Sequence, residues 1–420
     1  MLMTFHVSDP IAGTLVLLTL PLIAELVVLT LASILPKRTP AHPAVSGPLH
    51  LAVIIPAHNE ELLIPSCVES LRASADGDKT RIIAVAHNCS DRTAARAAEA
   101  GAEVVVYDNP LAQGKGSALS VGFAYASSQG VDATLVVDAD STVSSNLIGV
   151  VREAIAKGAD AVQCRYEMDS SAERPATRLT SLAFRGFNVV RPAGRDRLGL
   201  SAGIVGNGFA VRQALLAENS YNSHSVVEDL EFHIRLVLSG KRVQFLHDAK
   251  VSSAMPSSKQ GEVTQRSRWE GGRANAARTW FAPLLKQLTQ GRLRVLEPLL
   301  DLTSLPIGYA VFLLLIAGCF PLLWVRVYAL VAMTVIGGHV LAAAWCGSDF
   351  AGDMAILARA PAYILWKLFM LPSLLRSSRP EAAWVRTERQ SAIQRVSLEE
   401  SAATVAMEPG LRISSSLEIS

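Results

Sequence analysis

The chain has few charged residues for its length. Only 18% of its 420 residues are Asp, Glu, Lys or Arg, below the roughly 25% usual for soluble domains. Half of the chain is hydrophobic, which excludes an intrinsically disordered protein. The 37 acidic and 39 basic residues nearly balance, so no overall positive field is available to attract nucleic acid. These shortages favour a membrane-attached globular protein.

Cysteine is also scarce. The five residues of this type are odd in number and scattered, with no Cys-x-x-Cys pair and no Cys/His spacing of the kind that holds zinc. The sequence therefore predicts neither a disulfide framework nor a structural metal, and it fits a reducing compartment.

Charge is almost absent from long stretches near both ends of the chain. Residues 11–35 carry only Glu25, and residues 302–325 and 327–348 carry no charged residue. Because about 20 apolar residues span a bilayer core, each stretch is long enough to cross a membrane. We predict an N-terminal transmembrane helix over 11–35 and a transmembrane hairpin of two helices over 302–348.

A further apolar stretch, 354–375, is interrupted by Arg359, Lys367 and two prolines. It favours an amphipathic helix in the membrane interface, with a further span as the alternative. At the other end, Lys37 and Arg38 follow the first helix and place that side in the cytosol. The first stretch is interpreted as a retained helix, since no Lys or Arg precedes it and it exceeds the apolar core of a signal peptide.

Between these ends the sequence predicts an α/β domain over 51–290. Short β-branched runs alternate with helix-like stretches, as in LAVIIP, RIIAVA, AEVVVY and ATLVVDAD. Such runs are typical of parallel strands buried on both faces, and the alternation predicts a doubly wound, mainly parallel sheet. In such sheets ligands bind at the carboxyl ends of the strands. Residues 36–50 are predicted as a linker and 380–420 as a flexible cytosolic tail.

Polar clusters follow the first two predicted strands. Asn59 and Glu60 come after the first, and Asn88 and Asp91 come after the second. Each could cap the helix that follows, because Asn, Ser and Asp are favoured at helix N-caps. Two polar strand ends side by side would also form the wall of a binding crevice.

Two further motifs suit a phosphate and a cation. Lys115 lies between Gly114 and Gly116, where glycines allow close backbone approach and the lysine can neutralise a phosphate. Asp138 and Asp140 are two residues apart after a strand that is predicted to be central, so their carboxylates would converge. Hard divalent cations prefer carboxylate oxygens, which favours Mg²⁺ or Mn²⁺ bridging a diphosphate. A solvated turn with Asp140 as a helix cap is the alternative.

The last two motifs lie on predicted helices. Glu228 and Asp229 open a helix, either as favourable charges at its positive end or with Asp229 as a general base. Gln265, Arg268 and Trp269 form Q-x-x-R-W, and their spacing places Gln265 on one helical face with the other two. Arginine suits phosphate and tryptophan suits a sugar ring, whereas an interfacial membrane anchor is the alternative.

In this order, the segments IIPAHNE, NCSDRT, GKG, DAD, the Glu-Asp pair and QRSRW resemble a family 2 inverting glycosyltransferase. Within that family they are similar to the membrane-embedded cellulose, chitin and hyaluronan synthase-like branch, over about residues 50–390. The resemblance implies a GT-A (Rossmann-like) catalytic domain, a nucleotide-diphosphate sugar donor that is usually UDP-linked, and Mg²⁺ or Mn²⁺. Many relatives carry Asp-Asn where this chain has His87 and Asn88, which leaves the base preference open.

The resemblance also implies roles for the motif residues. The donor would be bound by Asn59, Glu60, Asn88, Asp91, Lys115 and Asp138. The metal would be held by Asp140 with Asp138. Asp229 would be the catalytic base, and the diphosphate and acceptor would be held by Gln265, Arg268 and Trp269.

The implied activity is transfer of a sugar to a growing β-linked polysaccharide, as in exopolysaccharide synthesis at a bacterial inner membrane. One alternative is addition of a single sugar to a lipid, as ceramide glucosyltransferases do. Another is an inactive subunit that binds nucleotide sugar or scaffolds an export complex. The expected partners are the donor, a polysaccharide or lipid acceptor, membrane lipids, and export or assembly subunits, with no nucleic acid.

Overall fold

A computed structural model describes residues 8–36, 49–75, 77–112, 114–169, 175–221, 227–254 and 259–369. Most of the predicted linker over 36–50, and all of the predicted tail over 380–420, lie outside the described residues.

The centre of the described fold is an eight-stranded mixed sheet. Its strands are β1 (Leu51–Ala57), β2 (Thr80–His87), β3 (Glu103–Tyr107), β4 (Ala133–Val136), β5 (Ser141–Val143), β6 (Ala161–Met168), β7 (Phe209–Arg212) and β8 (Val243–Ser253). Their order is β3-β2-β1-β4-β7-β6-β8-β5. Strands β1 to β4 are parallel, whereas β7 is antiparallel to both of its neighbours. The predicted α/β fold is confirmed, and β7 is an element that the sequence analysis did not identify.

The helices alternate with these strands and then continue beyond the sheet. They are α1 (Ser8–Ser33), α2 (Ile64–Ser74), α3 (Thr93–Glu99), α4 (Lys115–Ser128), α5 (Leu147–Ala156), α6 (Pro175–Arg185), α7 (Arg191–Arg197), α8 (Gln213–Glu218), α9 (Glu228–Leu238), α10 (Lys259–Thr289), α11 (Leu296–Thr303), α12 (Ile307–Cys319), α13 (Leu323–Trp345), α14 (Phe350–Ile356) and α15 (Ala360–Phe369). A π-helical turn, Gly186–Val190, joins α6 to α7.

Strand β1 shows why the sheet is covered on both faces. Alternate residues of a strand point to opposite sides, so Val53 and Ile55 join one hydrophobic cluster and Ile54 joins the other. All three are fully buried. Each such side chain contributes about 1.5–3 kcal/mol through burial. The continuous apolar run therefore favours a central strand with helices packed on both sides.

Among the described residues, α1 and α13 are long and apolar enough to cross a membrane. The first half of the hairpin predicted over 302–348 differs from the expectation, because α12 is short and bends by 77° from the segment Leu293–Thr303. Pro306 separates the two, and a proline without an N–H interrupts the helical hydrogen bonds. This bent pair is either a broken span or a re-entrant loop.

The segment predicted as one helix over 354–375 is divided in the structure. Helix α14 ends at Ile356, a 3₁₀ turn covers Leu357–Arg359, and α15 follows as far as Phe369. Pro361 lies in the first turn of α15, where a missing N–H costs no intrahelical bond. Residues 370–375 lie outside the described residues.

Helix α1 packs tightly against α7 at Gly194. A Cβ atom at Gly194 would lie 2.2 Å from the Leu29 carbonyl oxygen of α1. Only glycine allows this backbone approach. Glu25 of α1 also bonds to Arg191 and Arg195, so its buried charge is paired. The apolar N-terminal helix is thereby fixed to the α/β domain.

Candidate active site

A cavity of about 1490 Å³ begins beside the carboxyl end of β4. It brings together five residues that the sequence analysis singled out: Lys115, Asp138, Asp229, Gln265 and Trp269. They come from the start of α4, the turn after β4, helix α9 and helix α10, and their positions in the sequence range from 115 to 269. The cavity is therefore the candidate active site.

Lys115 and Asp138 form an ion pair in the wall of this cavity. Gly114 precedes α4 with φ of 91°, and Lys115 is the first residue of that helix. The Lys115 Nζ donates to an Asp138 carboxylate oxygen and, at 2.5 Å, to the carbonyl oxygen of Gly206. An ammonium group at the start of a helix is suited to a diphosphate.

The convergence of the two carboxylates of the Asp-x-Asp motif stays a prediction, because both residues lie beyond the end of the strand. Strand β4 ends at Val136, so Asp138 and Asp140 do not continue its alternation. Asp138 lines the cavity, whereas Asp140 lies in the turn before β5 and accepts a hydrogen bond from Ser141 Oγ at 3.2 Å. No group of three or more His, Cys, Asp or Glu side chains with metal-binding geometry occurs in the described parts of the chain.

This donor set fits a divalent cation that is held jointly with the substrate. Mg²⁺ commonly binds through one or two carboxylates and completes its coordination with substrate phosphates and water. Asp138 and Asp140 supply hard oxygen donors, and Asp138 is at the cavity. Such a site needs no third protein carboxylate.

The predicted donor-binding residues Asn59, Glu60 and Asp91 join the loops that follow β1 and β2. Asn59 Oδ1 accepts from the Ser90 N–H at 2.8 Å. The Glu60 N–H donates to Thr93 Oγ1 at 2.7 Å. The Asp91 carboxylate accepts from the N–H of Glu61 at 3.2 Å and that of Thr93 at 2.9 Å. These bonds show that the three residues hold the two loops together, and their contact with a donor stays a prediction.

Asn88 has a similar bridging role one strand further along. Its carboxamide oxygen accepts from the Asn109 N–H at 2.7 Å, and its Nδ2 donates to the Asn109 carbonyl at 3.0 Å. Asn59 and Asn88 both have positive φ, 55° and 51°, a conformation that asparagine tolerates well. Beside them the His87 ring stacks on Tyr107 with centroids 5.3 Å apart. Burial lowers the pKa of His87, which favours a neutral ring.

Asp229 lies at the start of α9 and is given room by a glycine. A Cβ atom on Gly206 would lie 2.8 Å from Asp229 Oδ2. Burial raises the pKa of Asp229, while the Leu230 N–H and the charges of Lys115 and Arg273 partly offset that rise. Burial, followed by the charge of Asp229, also raises the pKa of Glu228. The two adjacent acids therefore disfavour a double negative charge, and the cations favour Asp229 as a proton acceptor.

Helix α10 forms another part of the cavity wall. Gln265 is buried, and Trp269 lies with its ring centroid 6.0 Å from that of Phe184. Phe184 in turn meets Tyr166 edge to face at 5.0 Å. The side chain of Arg268 is outside the described residues, although its backbone is in the helix. The Trp269 ring is thus held against an aromatic pair at the cavity wall.

The cavity residues that the sequence analysis missed include Arg273 and Phe187. Arg273 donates to the carbonyl and to Oδ2 of Asp301, at 2.7 Å and 2.9 Å. It follows Trp269 by four residues, so helical spacing from Gln265 and Trp269 could have indicated it. Phe187 lies beneath Arg273, with the guanidinium 4.6 Å from the ring centroid. No sequence signal distinguished it, because it belongs to the π-helical turn.

The mixed sheet, with a cleft at its strand ends, is a GT-A fold. Residues 48–272 match the family described as "Glycosyltransferase like family 2". The chain belongs to that family. Its placement in the cellulose, chitin and hyaluronan synthase-like branch stays a prediction.

The chain is similar to several known proteins. It is 27% identical to the probable glycosyltransferase YdaM of Bacillus subtilis over 56% of this chain and 58% of that protein. It is 26% identical to probable glucomannan 4-beta-mannosyltransferase 3 of Arabidopsis thaliana, over 30% of this chain and 23% of that protein. Thus the chain spans less than two thirds of the length of these relatives.

A solved structure shares the fold. Mannosyltransferase PcManGT from Pyrobaculum calidifontis, in complex with GDP-Man and Mn²⁺, aligns with a TM-score of 0.53 and 16% identity. The alignment covers 87% of this chain and 97% of that one. It extends beyond the α/β domain into the C-terminal helices.

Proposed function

We propose that this chain is a membrane-bound inverting glycosyltransferase that moves a hexose from a nucleotide-diphosphate donor, expected to be UDP-linked, to an acceptor hydroxyl. The observation that carries the proposal is the convergence of Lys115, Asp138 and Asp229 in one cavity. Lys115 and Asp138 would contact the donor, and the buried Asp229 would accept a proton.

The reaction is a single displacement. The acceptor hydroxyl attacks the anomeric carbon, Asp229 takes its proton, and the bond from that carbon to the diphosphate oxygen breaks. Inversion converts an α-linked donor to a β-linked product. Lys115, with Arg268, stabilises the charge that develops on the leaving diphosphate.

The proposed donor site also includes Asn59, Glu60, Asn88 and Asp91, near the base. Asp138 and Asp140 would hold Mg²⁺ or Mn²⁺, which would supply further positive charge to the diphosphate. Trp269 and Gln265 would position the acceptor end against the reacting carbon.

Membrane attachment is proposed from α1 and α13. In this arrangement residues 51–290 form the catalytic domain on the cytosolic side of a bacterial inner membrane. Residues 11–35 and 302–348 contribute the membrane helices, and 354–375 lies at the interface. The C-terminal tail is cytosolic.

Two acceptors are compatible with this chemistry. A growing β-linked polysaccharide is supported by the similarity to glucomannan 4-beta-mannosyltransferases. A lipid that receives one sugar is supported by the apolar residues that line the cavity beyond the catalytic cleft. The lengths of the products separate the two, because a polymer gives a ladder and a lipid gives one added sugar.

The test is a donor screen on the purified full-length chain, with Mg²⁺, Mn²⁺ or a chelator, that measures nucleotide diphosphate release and the mass of the product. Asp229→Asn is expected to lower transfer by about a thousandfold or more while leaving the donor dissociation constant nearly unchanged, because the variant lacks the base. Glu218→Gln, an exposed acid on α8, is the control. Turnover at the wild-type rate in Asp229→Asn would refute the assignment.

A further inference from the structure

The cavity does not end at the catalytic cleft. It continues between the apolar helices into a region that we call the inner compartment. The wall of the inner compartment is formed by Leu22, Val311, Phe312, Leu315, Met333 and Ile336. These residues come from α1, α12 and α13. Four of them, Leu22, Val311, Met333 and Ile336, belong to one hydrophobic cluster. The total volume of about 1490 Å³ exceeds the 300–1,000 Å³ of ordinary small-molecule sites. The cavity as a whole therefore has room for a second ligand beside the donor.

A buried charged belt lies beside the cavity, and four of its six residues line the cavity. It consists of Glu25, Arg191, Arg195, Arg273, Glu297 and Asp301. Arg195 is central to it, since its guanidinium lies 2.9 Å from Glu25, 2.8 Å from Asp301 and 3.2 Å from Glu297. Arg273 pairs with Asp301 at 2.9 Å. Four elements, α1, α7, α10 and α11, thus meet in one ionic network.

The belt extends from the catalytic base to the membrane helices. Arg273 is near enough to Asp229 for its charge to favour the ionised carboxylate. Phe187 lies between Arg273 and Arg191, with the two guanidiniums 4.6 Å and 4.9 Å from its ring centroid. Arg191 then bonds to Glu25 of α1. The belt thus connects the surroundings of Asp229 with α1.

Each arginine of the belt already has a carboxylate partner. Among the described residues that line the cavity, the remaining Lys or Arg is Lys115, which bonds to Asp138 on the donor side. A lipid phosphate at the belt would therefore compete with buried carboxylates for arginines that are already paired.

Uncharged polar groups are better matched there. Asn188 Oδ1 and His339 Nε2 are buried atoms without a hydrogen-bond partner among the described residues, and both side chains line the cavity. The amide oxygen accepts a hydrogen bond, and the imidazole nitrogen donates or accepts according to its tautomer. Hydroxyl groups can satisfy both. A polysaccharide would leave its hydroxyls unsatisfied further in, against the apolar compartment.

Resting on the proposed function, we infer that the acceptor is a lipid with an uncharged, hydroxyl-bearing headgroup whose hydrocarbon chain occupies the inner compartment. The headgroup oxygen forms the new bond to the anomeric carbon. The bond from that carbon to the diphosphate breaks, its electron pair leaves with the diphosphate, and the hydroxyl proton passes to Asp229. The product is a glycoside of the lipid hydroxyl.

The test uses membranes that contain the full-length chain and a radiolabelled nucleotide sugar chosen by diphosphate release. The label is expected in the organic extract, and it should resist mild acid, which cleaves sugar–phosphate but not ordinary glycosidic bonds. Met333→Trp fills the inner compartment and should lower the organic label about tenfold or more, as expected when about two methylene groups lose their site. The donor dissociation constant should not change.

Leu330→Trp is the matched control, because this residue of the same helix is 70% exposed on the outer surface and does not line the cavity. If Met333→Trp loses donor binding, and so fails to fold, Leu315→Trp replaces it. Leu315 lines the cavity but is 57% exposed, so a larger side chain is easier to accommodate there.

The outcomes separate the inference from the proposed function. Label in a polymer without lipid, label released from the lipid by mild acid, or equal label in the Met333→Trp and Leu330→Trp membranes would each overturn the lipid acceptor while leaving glycosyl transfer intact. Absence of diphosphate release from every donor would overturn the proposed function, and the inference with it.

Discussion

Gly206 provides the most direct test of the catalytic geometry. A Cβ atom at this position would lie 2.8 Å from Asp229 Oδ2, whereas ordinary van der Waals contact begins near 3.4 Å. In Gly206→Ala the carboxylate must therefore move by about 0.6 Å. Since misplacement by about 1 Å costs on the order of a hundredfold in rate, we expect kcat/KM to fall by about tenfold to a hundredfold.

The backbone of Gly206 adds a second effect that must be separated from the first. Its φ is 78°, in the left-handed region where an alanine costs about 1–2 kcal/mol. Gly240 has nearly the same φ, 79°, but a Cβ atom there would meet nothing within 4 Å. Gly240→Ala therefore reproduces the backbone strain without touching Asp229.

The assay compares the two variants in denaturant unfolding and in steady-state transfer. Both should lose about 1–2 kcal/mol of unfolding free energy, and only Gly206→Ala should lose activity. The donor dissociation constant of Gly206→Ala should change less than its kcat. If the two variants have the same kcat/KM, the close approach of Gly206 to Asp229 has no part in catalysis and the reasoning is refuted.

Three more predictions address charges around the cavity. Lys115→Met should raise the donor KM by about tenfold to a hundredfold, because a charge-assisted bond to the diphosphate is lost. The control is Lys286→Met, at an exposed residue of α10. An unchanged KM in Lys115→Met would contradict the proposed role. In Arg273→Gln the acidic limb of the kcat/KM profile should move to higher pH, since the Arg273 charge lowers the pKa of Asp229, which must be ionised to act as the base. The control is Arg278→Gln, at an exposed residue, in which the limb should stay in place. A limb that also stays in place in Arg273→Gln would exclude the coupling between Arg273 and Asp229. Finally, burial followed by the charge of Arg195 lowers the pKa of His233 to about 4 from an ordinary 6.5. Because the unfolded chain takes up this proton first, the unfolding free energy should fall as pH decreases from about 7 towards 4, and His233→Gln should flatten that slope in urea titrations; equal slopes would be the contrary result.

The strand–helix alternation was predictable because burial on both faces demands continuous apolar runs. LAVIIP became β1, and its residues pack into two separate clusters. Strand β7 was not predictable in the same way. It has four residues, follows Gly206 and Gly208, and is specified by pairing with β4 and β6 rather than by its own pattern.

The site was foreseen in its chemistry more than in its geometry. Lys115, Asp138, Asp229, Gln265 and Trp269 do line one cavity, but Asp140 lies in a turn and bonds to Ser141. The alternation from which the convergence of the two aspartates was predicted requires an extended backbone, whereas β4 ends two residues before Asp138. That convergence stays a prediction. Similarly, Asn88 could be read as a cap, yet its partner is the backbone of Asn109, 21 residues away.

The sequence by itself determined the family 2 motifs, the α/β class and the apolar runs at both ends, because these depend on local spacing and composition. Only the tertiary structure decided that Glu25 in an apolar helix pairs with Arg191 and Arg195 of the α/β domain. It also joined the cleft to the inner compartment. Ion pairs between residues more than 160 positions apart leave no periodic trace in a sequence, and they form only when packing brings their elements together.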